Sequence, residues 1–141
     1  MGSFIIGTDV DTKDSLYQLK NFIIESEIDI PNITHLTPYP GTKIYEKLVK
    51  ENRLFNNQFW LENPFPMFTF KPRNLTLNQL YEISLNLVND LNSLVPISKR
   101  FFKSILSKRS LKASIFSLAE SIITGITFKR NLENTCKNIS E

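Results

Sequence analysis

The chain has 141 residues, 41% hydrophobic and 22% charged, which suits one globular domain with a core and excludes a disordered or fibrous chain. One cysteine, Cys136, excludes an intrachain disulfide framework, so a reducing, cytoplasmic compartment is expected, with a membrane-peripheral position as the variant. The net charge of +3 conceals an asymmetry: residues 1–70 carry six Lys/Arg against nine Asp/Glu, and residues 71–141 eleven against five. A basic half can meet phosphate or anionic lipid, but a solvated helix face gives the same count and is the expected cause.

The first residues, Met1 to Gly7, lack the basic flank and long apolar run of a signal peptide, and secretion is not expected. Residues 3–7, Ser-Phe-Ile-Ile-Gly, read as a strand buried on both faces. Asp11 is placed to cap a helix from about Thr12 to Ser26 with an inward stripe of Leu16, Leu19, Phe22 and Ile23. A second strand is expected at about Asn32 to Thr37, ended by Pro38-Tyr39-Pro40-Gly41, where two prolines and a glycine force a turn. Thr42 then caps a helix through Lys50, with Ile44, Leu48 and Val49 inward. Strand, helix, strand, helix in about fifty residues is a βαβ unit, which implies parallel strands covered by helices. Two strands do not make a stable parallel sheet, so its neighbours are expected from sequence outside this chain or from a second chain.

Between Glu51 and Pro72 the periodicity breaks, and Phe55, Phe59, Trp60, Phe65, Phe68 and Phe70 stand among Asn and Pro. Alternation in Met67-Phe68-Thr69-Phe70 predicts a short strand. Thr76 and Gln79 form a capping box ahead of Leu77, Leu80, Ile83, Leu87, Leu91 and Leu94, which predicts a helix over 77–94. Pro96 interrupts, and Ser98 starts a helix in a stretch, residues 97–112, with six basic side chains and no acid. A last helix is expected over about Leu111 to Phe128, with Leu111, Ile115, Leu118, Ile122 and Ile126 as its repeat and a fraying polar tail. It is too short and too polar to span a membrane. The stretch therefore divides as residues 1–52 with two βα units, 53–75 as an aromatic connecting segment, and 76–141 as a helical extension.

Few residue types here carry chemistry. Asp9-Val10-Asp11 has the Asp-x-Asp form that holds divalent metals, but capping accounts for Asp11 without one. His35 lies among apolar strand residues with no base or ligand partner in sequence, and a packed, hydrogen-bonded histidine is expected. Glu25, Glu27 and Asp29 read as a solvated helix end. The loop Thr37 to Thr42, directly after a buried strand, occupies the end of a parallel strand where ligands gather in α/β folds.

Four segments together resemble one family in one order: Phe4-Ile5-Ile6-Gly7-Thr8-Asp9-Val10-Asp11-Thr12, Thr37-Pro38-Tyr39-Pro40-Gly41-Thr42-Lys43-Ile44-Tyr45-Glu46, Glu51-Asn52-Arg53-Leu54, and Phe70-Lys71-Pro72-Arg73-Asn74-Leu75-Thr76 with Leu80. They resemble the radical S-adenosylmethionine (SAM) superfamily, in particular members with a cobalamin-binding domain and a helical carboxy-terminal extension. The resemblance covers about residues 2–95. It implies an α/β chain made of the last two βα units of a partial (β/α)6 barrel followed by that extension. It also implies that Ile5, Ile6 and Gly7, with Thr37 and Pro38, face SAM at the mouth of the barrel. The CxxxCxxC motif that holds the family's [4Fe–4S] cluster is absent, and Ser3 stands where a glycine often precedes the fifth-strand motif. One cysteine cannot supply three thiolates. The expectation is a carboxy-terminal fragment without a catalytic residue or retained cofactor of its own, whose partner is the missing amino-terminal half of the barrel. SAM and [4Fe–4S], with or without cobalamin, belong to the parent family. The alternative is a non-catalytic binding or membrane-peripheral module that uses the basic helices over 97–130. Docking of those helices on the barrel is preferred to weak contact with anionic membrane, and nucleic acid is not expected as a partner.

Overall fold

A computed structural model describes the chain except Glu27, Leu94 and residues 63–66, 100–110 and 140–141, with backbone only at 62, 111 and 135–139. In chain order the elements are β1 (Gly2–Ile6), α1 (Lys13–Glu25), β2 (Pro31–His35), α2 (Lys43–Lys50), α3 (Phe59–Glu62), α4 (Leu77–Leu91) and α5 (Leu111–Ile139). The two strands pair in parallel, with Phe4 opposite Ile33 and Ile6 opposite His35. The chain is thus mixed α/β, a small two-stranded parallel sheet with several helices.

The period of two along each strand puts Phe4, Ile6, Ile33 and His35 on one face and Ser3, Ile5 and Thr34 on the other. The first face is the core: Ile6 and Ile33 join Leu16 and Ile23 of α1, Leu80, Leu87, Val88 and Leu91 of α4, and Phe128 and Leu132 of α5 in one cluster. The second face is bare, and Ile5 on it is 58% exposed while Ile6 is fully enclosed. The expected burial of this strand on both faces therefore holds for one face only. Gly7 ends β1 with a φ of 79°, a left-handed conformation that side chains resist, and a Cβ there would lie 3.1 Å from Leu80 Cδ2. Only glycine lets α4 close over the strand end.

Several local expectations are corrected. Thr12, not Asp11, caps α1: its hydroxyl accepts from Ser15 N–H, and Ser15 Oγ accepts from Thr12 N–H. Asp11 instead accepts from Thr8 N–H at 2.8 Å, inside the loop. Phe22 is largely exposed, set edge-on to Phe4, because the buried line of α1 runs through Leu16 and Ile23. Val49 is exposed too, leaving Leu48 as the enclosed side chain of α2, and Asn52 takes the left-handed position past the helix end. Met67 to Phe70 do not alternate; all four are buried, and only an isolated antiparallel bridge joins Leu54 to Phe70. The capping box of Thr76 and Gln79 forms as expected, and α4 ends at Leu91. Leu94 and most of the basic stretch 97–112 lie outside the described residues. Pro96 does not interrupt a helix but sits in the first turn of helical residues 95–99, where its missing N–H costs nothing.

The largest departure is in α5. Its side chains at Ile115, Ile122 and Ile126 face out with Phe116 and Ile123, while Ser114, Ser121, Phe128 and Leu132 face in. The helix also continues to Ile139 rather than fraying after Lys129. Small side chains explain the choice of face. At Gly125 a Cβ would run into the Asn92 carboxamide, with Cγ at 2.7 Å, so the helix approaches the end of α4 more closely than an isoleucine stripe permits. That carboxamide in turn donates to Val88 O at 2.8 Å and closes α4. Among the described residues no helix is long and apolar enough to cross a membrane. Gly125→Ala should lose about 1–3 kcal/mol of unfolding free energy through overpacking, and Asn92→Ala in the same background should restore part of it, read by urea denaturation. Equal stability of Gly125→Ala and the parent would show that the two helices are not in this close contact.

Candidate functional site

The carboxyl ends of β1 and β2 carry the chemistry-bearing residues of the chain. Two polar systems meet there, one charged and partly exposed, the other neutral and buried.

The charged system is centred on Asp9, two residues past Gly7. Arg53, just after α2, grips it with both terminal nitrogens, Nη1 at 2.9 Å from Oδ2 and Nη2 on Oδ1. Arg53 also donates from Nε to Lys71 O at 2.9 Å and from Nη1 to Glu51 at 2.8 Å. Arg73 joins Glu51 at 2.8 Å and approaches Asp9 at 3.6 Å, Lys47 stands 3.7 Å from Asp9, and Asn74 donates to Asp9 O. The Arg53 guanidinium holds the Asp9 carboxyl below its ordinary value of 3.8, against the opposing effect of burial. The network ties the loop after β1 to the end of α2 and to the approach to α4. It also answers the Asp-x-Asp reading: Asp9 is committed to arginine and Asp11 to a backbone N–H. Among the described residues no group of three metal-binding side chains exists.

The neutral system is centred on His35, the chain's single histidine. It is buried, as expected, with Phe128 stacked on one face at 5.4 Å between centroids and Phe68 set edge-on at 4.9 Å. Nε2 lies 3.0 Å from Ser84 Oγ, and that hydroxyl donates its one proton to Leu80 O at 2.6 Å. Ser84 therefore accepts from His35, which assigns the proton to Nε2 and leaves Nδ1 a bare acceptor. Nδ1 is buried and, among the described residues, has no partner. Burial holds the imidazole neutral by lowering its pKa from 6.5 to about 4.

Beside His35 a cleft of about 560 Å³ runs between the outer edge of β2 and α5, with Thr34, Thr37, Tyr39, Met67, Ile123 and Phe128 among its walls. The five residues expected to face SAM do not share one surface. Ile5 lies on the bare sheet face, Ile6 and Pro38 are enclosed, Gly7 turns the strand end, and Thr37 lines the cleft while its hydroxyl donates to His35 O at 3.3 Å. Sequence reasoning missed Ser84 and Arg53 as partners. Ser84 had a signal, a hydroxyl on the inward line of an otherwise apolar helix, which calls for a buried polar partner. Arg53 had none beyond its place in one of the four segments that carry the resemblance, because its partner is 44 residues away.

Removing the Asp9 carboxylate takes from the mostly enclosed Arg53 its two-pronged partner and leaves Glu51 as its carboxylate, so Asp9→Asn should cost about 1–3 kcal/mol. Because the folded pKa of Asp9 is depressed, its contribution is full above pH 3.8 and is lost as pH falls further, and the variant should lack that part of the acid limb. Identical acid unfolding of variant and parent would show the clamp to be idle. The sign also follows for His35: the unfolded chain binds the proton near pH 6.5 and the folded chain only near 4. Stability should therefore fall as pH drops from 6.5 to 4, by roughly 3 kcal/mol at most, and His35→Phe should flatten that slope. A parent protein equally stable at pH 4.5 and 7 would contradict the neutral, buried state.

No family model matches the chain, and no solved structure matches it. Among curated proteins it is similar to the bacteriochlorophyllide d C-12(1)-methyltransferase of Chlorobaculum tepidum, 30% identical over 99 residues, which are 70% of this chain and 21% of that protein. It is also similar to an uncharacterized methyltransferase of Pyrococcus horikoshii, 37% identical over 54 residues, 38% of this chain and 12% of that protein. The chain spans about a fifth of the first relative and about an eighth of the second. It is distantly similar to methyltransferases.

Proposed function

We propose that this chain is the carboxy-terminal portion of a methyltransferase that uses SAM, of the radical type with a cobalamin-binding domain, and that it acts only with the strands that complete its sheet. One observation carries the reading. The two parallel strands are finished on one face by α1, α4 and α5 and bare on the other, where Ile5 is exposed, and among the described residues neither outer edge has a strand partner. A parallel sheet is normally buried on both faces, so this one has the form of a layer cut from a larger α/β domain. The similarity to a fifth of a methyltransferase supports the same division. In this reading the bare face looks into a partial (β/α)6 barrel, and α1 and α2 belong to its outer ring.

The residues present fit part of a SAM site and not the whole of it. Ile5 offers an apolar side chain from the bare face, and the backbone at Gly7 and the turn at Thr37 and Pro38 stand at the strand ends, a fit for the flat adenine ring. Ile6 and Pro38, being enclosed, act by holding that wall in place rather than by touching the ligand. A [4Fe–4S] cluster needs three thiolates and this chain has one cysteine, so the cluster belongs to the completing strands. When bound, the cluster and SAM supply the electron and the methyl or adenosyl group. The present chain supplies a wall, the Asp9–Arg53 clamp that fixes the loop beside it, and the helical extension.

Reading the DNA upstream of codon 1 should reveal a CxxxCxxC segment, in frame or as a neighbouring chain. Co-expressed with that segment, the chain should co-purify and bind S-adenosylhomocysteine, and Ile5→Asp should weaken that binding at least about tenfold by placing a charge on the apolar wall. An unrelated gene upstream, or failure of the two parts to associate, would overturn the proposal.

A further inference from the structure

We propose that the cleft between the outer edge of β2 and α5 is a binding site for an uncharged, mostly apolar small molecule that donates one hydrogen bond, from N–H or O–H, to Nδ1 of His35. The cleft borders the bare sheet face at Thr34 and the strand-end turn at Thr37, but the argument for it does not depend on the methyltransferase reading.

The direction of the imidazole is the first argument. Its Cδ2–Nε2 edge is turned to the end of β1 and to α4: Cδ2 lies 3.5 Å from the Cβ position of Gly7, and Nε2 is on Ser84. No residue of β1 or α4 lines the cleft, yet His35 does. That leaves the opposite edge, Nδ1 and Cε1, for the cleft side of the ring, with Nδ1 itself enclosed in the empty protein. A small cavity on the other side of the ring, lined by Gly7 and Leu80 among others, belongs to the Cδ2 edge.

The second argument is chemical. A buried acceptor without a donor costs free energy in the empty protein, and a ligand that supplies the donor recovers it, which makes the acceptor selective. Burial keeps the ring neutral near pH 7, so Nδ1 presents a lone pair and not a proton. None of the described residues lining the cleft is charged, in a chain that is 22% charged. Its apolar lining is Ile33, Met67, Ile123 and Phe128, and its polar groups are hydroxyls and carboxamides such as Thr34, Thr127 and Asn131. A charged ligand would lose its hydration there without a countercharge. The volume, about 560 Å³, is that of ordinary small-molecule sites. Met67 lines both the cleft and the small cavity, and its unbranched thioether is the side chain that gives way when a ligand reaches Nδ1.

Because the chain has one histidine, its imidazole nitrogens give a single, self-assigned pair of ¹⁵N resonances. The probe is indole, uncharged and with one N–H, added to the full-length chain labelled with ¹⁵N-histidine; 1-methylindole, which lacks the donor, is the control. Indole should shift the Nδ1 resonance upfield in a saturable way while Nε2 stays protonated. 1-Methylindole should bind roughly three- to tenfold more weakly, the ratio of one net hydrogen bond, and leave Nδ1 unmoved. His35→Phe keeps an aromatic ring over Phe128 and should lower indole binding to the level of 1-methylindole. Should that variant not fold, the two titrations of the parent chain decide alone. Absence of saturation, saturation without movement of Nδ1, or equal affinity for the two indoles would each overturn the proposal.

Discussion

A two-stranded parallel sheet has too few ladder hydrogen bonds and too little apolar face to stand alone, so the structure depends on how α4 closes over the ends of β1 and β2. The closure has a polar lock. His35 is carried into the core by its strand register, and a buried imidazole must find a partner. Ser84 supplies it, and disposes of its own proton on Leu80 O within α4. Sliding α4 by one turn would bury His35 without a partner and place Ser84 against apolar side chains. One short hydrogen-bond chain thus fixes the register of helix against strand, with Leu80 over Gly7 as its apolar counterpart.

The Asp9 network performs the same task for the loops. Its members come from the turn after β1, from α2 and its end, and from the approach to α4, and none is a sequence neighbour of all the others. Because Arg53 is mostly enclosed and receives both carboxylate oxygens, the pair is worth more than an exposed ion pair, whose contribution is commonly below about 1 kcal/mol. The neighbouring Leu54 pairs with Phe70 through a backbone bridge, and the Phe70 ring lies 5.8 Å from the Arg53 guanidinium. The strand ends are therefore held by a buried neutral lock on one side and a charged clamp on the other.

What could be read from the sequence follows from how local its cause is. The βα order and the caps at Thr42 and Thr76 depend on residues three or four apart, and they formed as expected; of the expected line of α4, Leu80, Leu87 and Leu91 are buried, joined by Ser84 and Val88. The buried state of His35 was legible from its apolar neighbours, but its partner was not, because Ser84 is 49 residues away. The face of α5 was misread for a more general reason. Its isoleucines obey the helical period, and hydrophobic period alone assigns them to the core. The serines at 114 and 121 and Gly125 form a competing face, and close approach to the end of α4 is worth more there than area. The bare sheet face was foreseen only in the sense that two strands were recognised as too few.

The rotation of α5 has a consequence for binding. Had the stripe of Ile115, Ile122 and Ile126 turned inward, bulky side chains would have stood between the helix and the rest of the core. With the small face inward, α5 seats at Ser121 and Gly125 against the end of α4, and Phe128 folds over His35. Between the helix and the outer edge of β2 lies the cleft, walled by Ile123 and Thr124 on one side and Thr34 on the other. The same packing decision that satisfies Nε2 through α4 leaves Nδ1 enclosed and, among the described residues, without a partner. Leucine or phenylalanine at this position would carry no orphan acceptor, but would also give up the bond to Ser84 that sets the register of α4. One nitrogen of His35 thus serves the fold, and the other is the one that the proposed ligand of the cleft would satisfy.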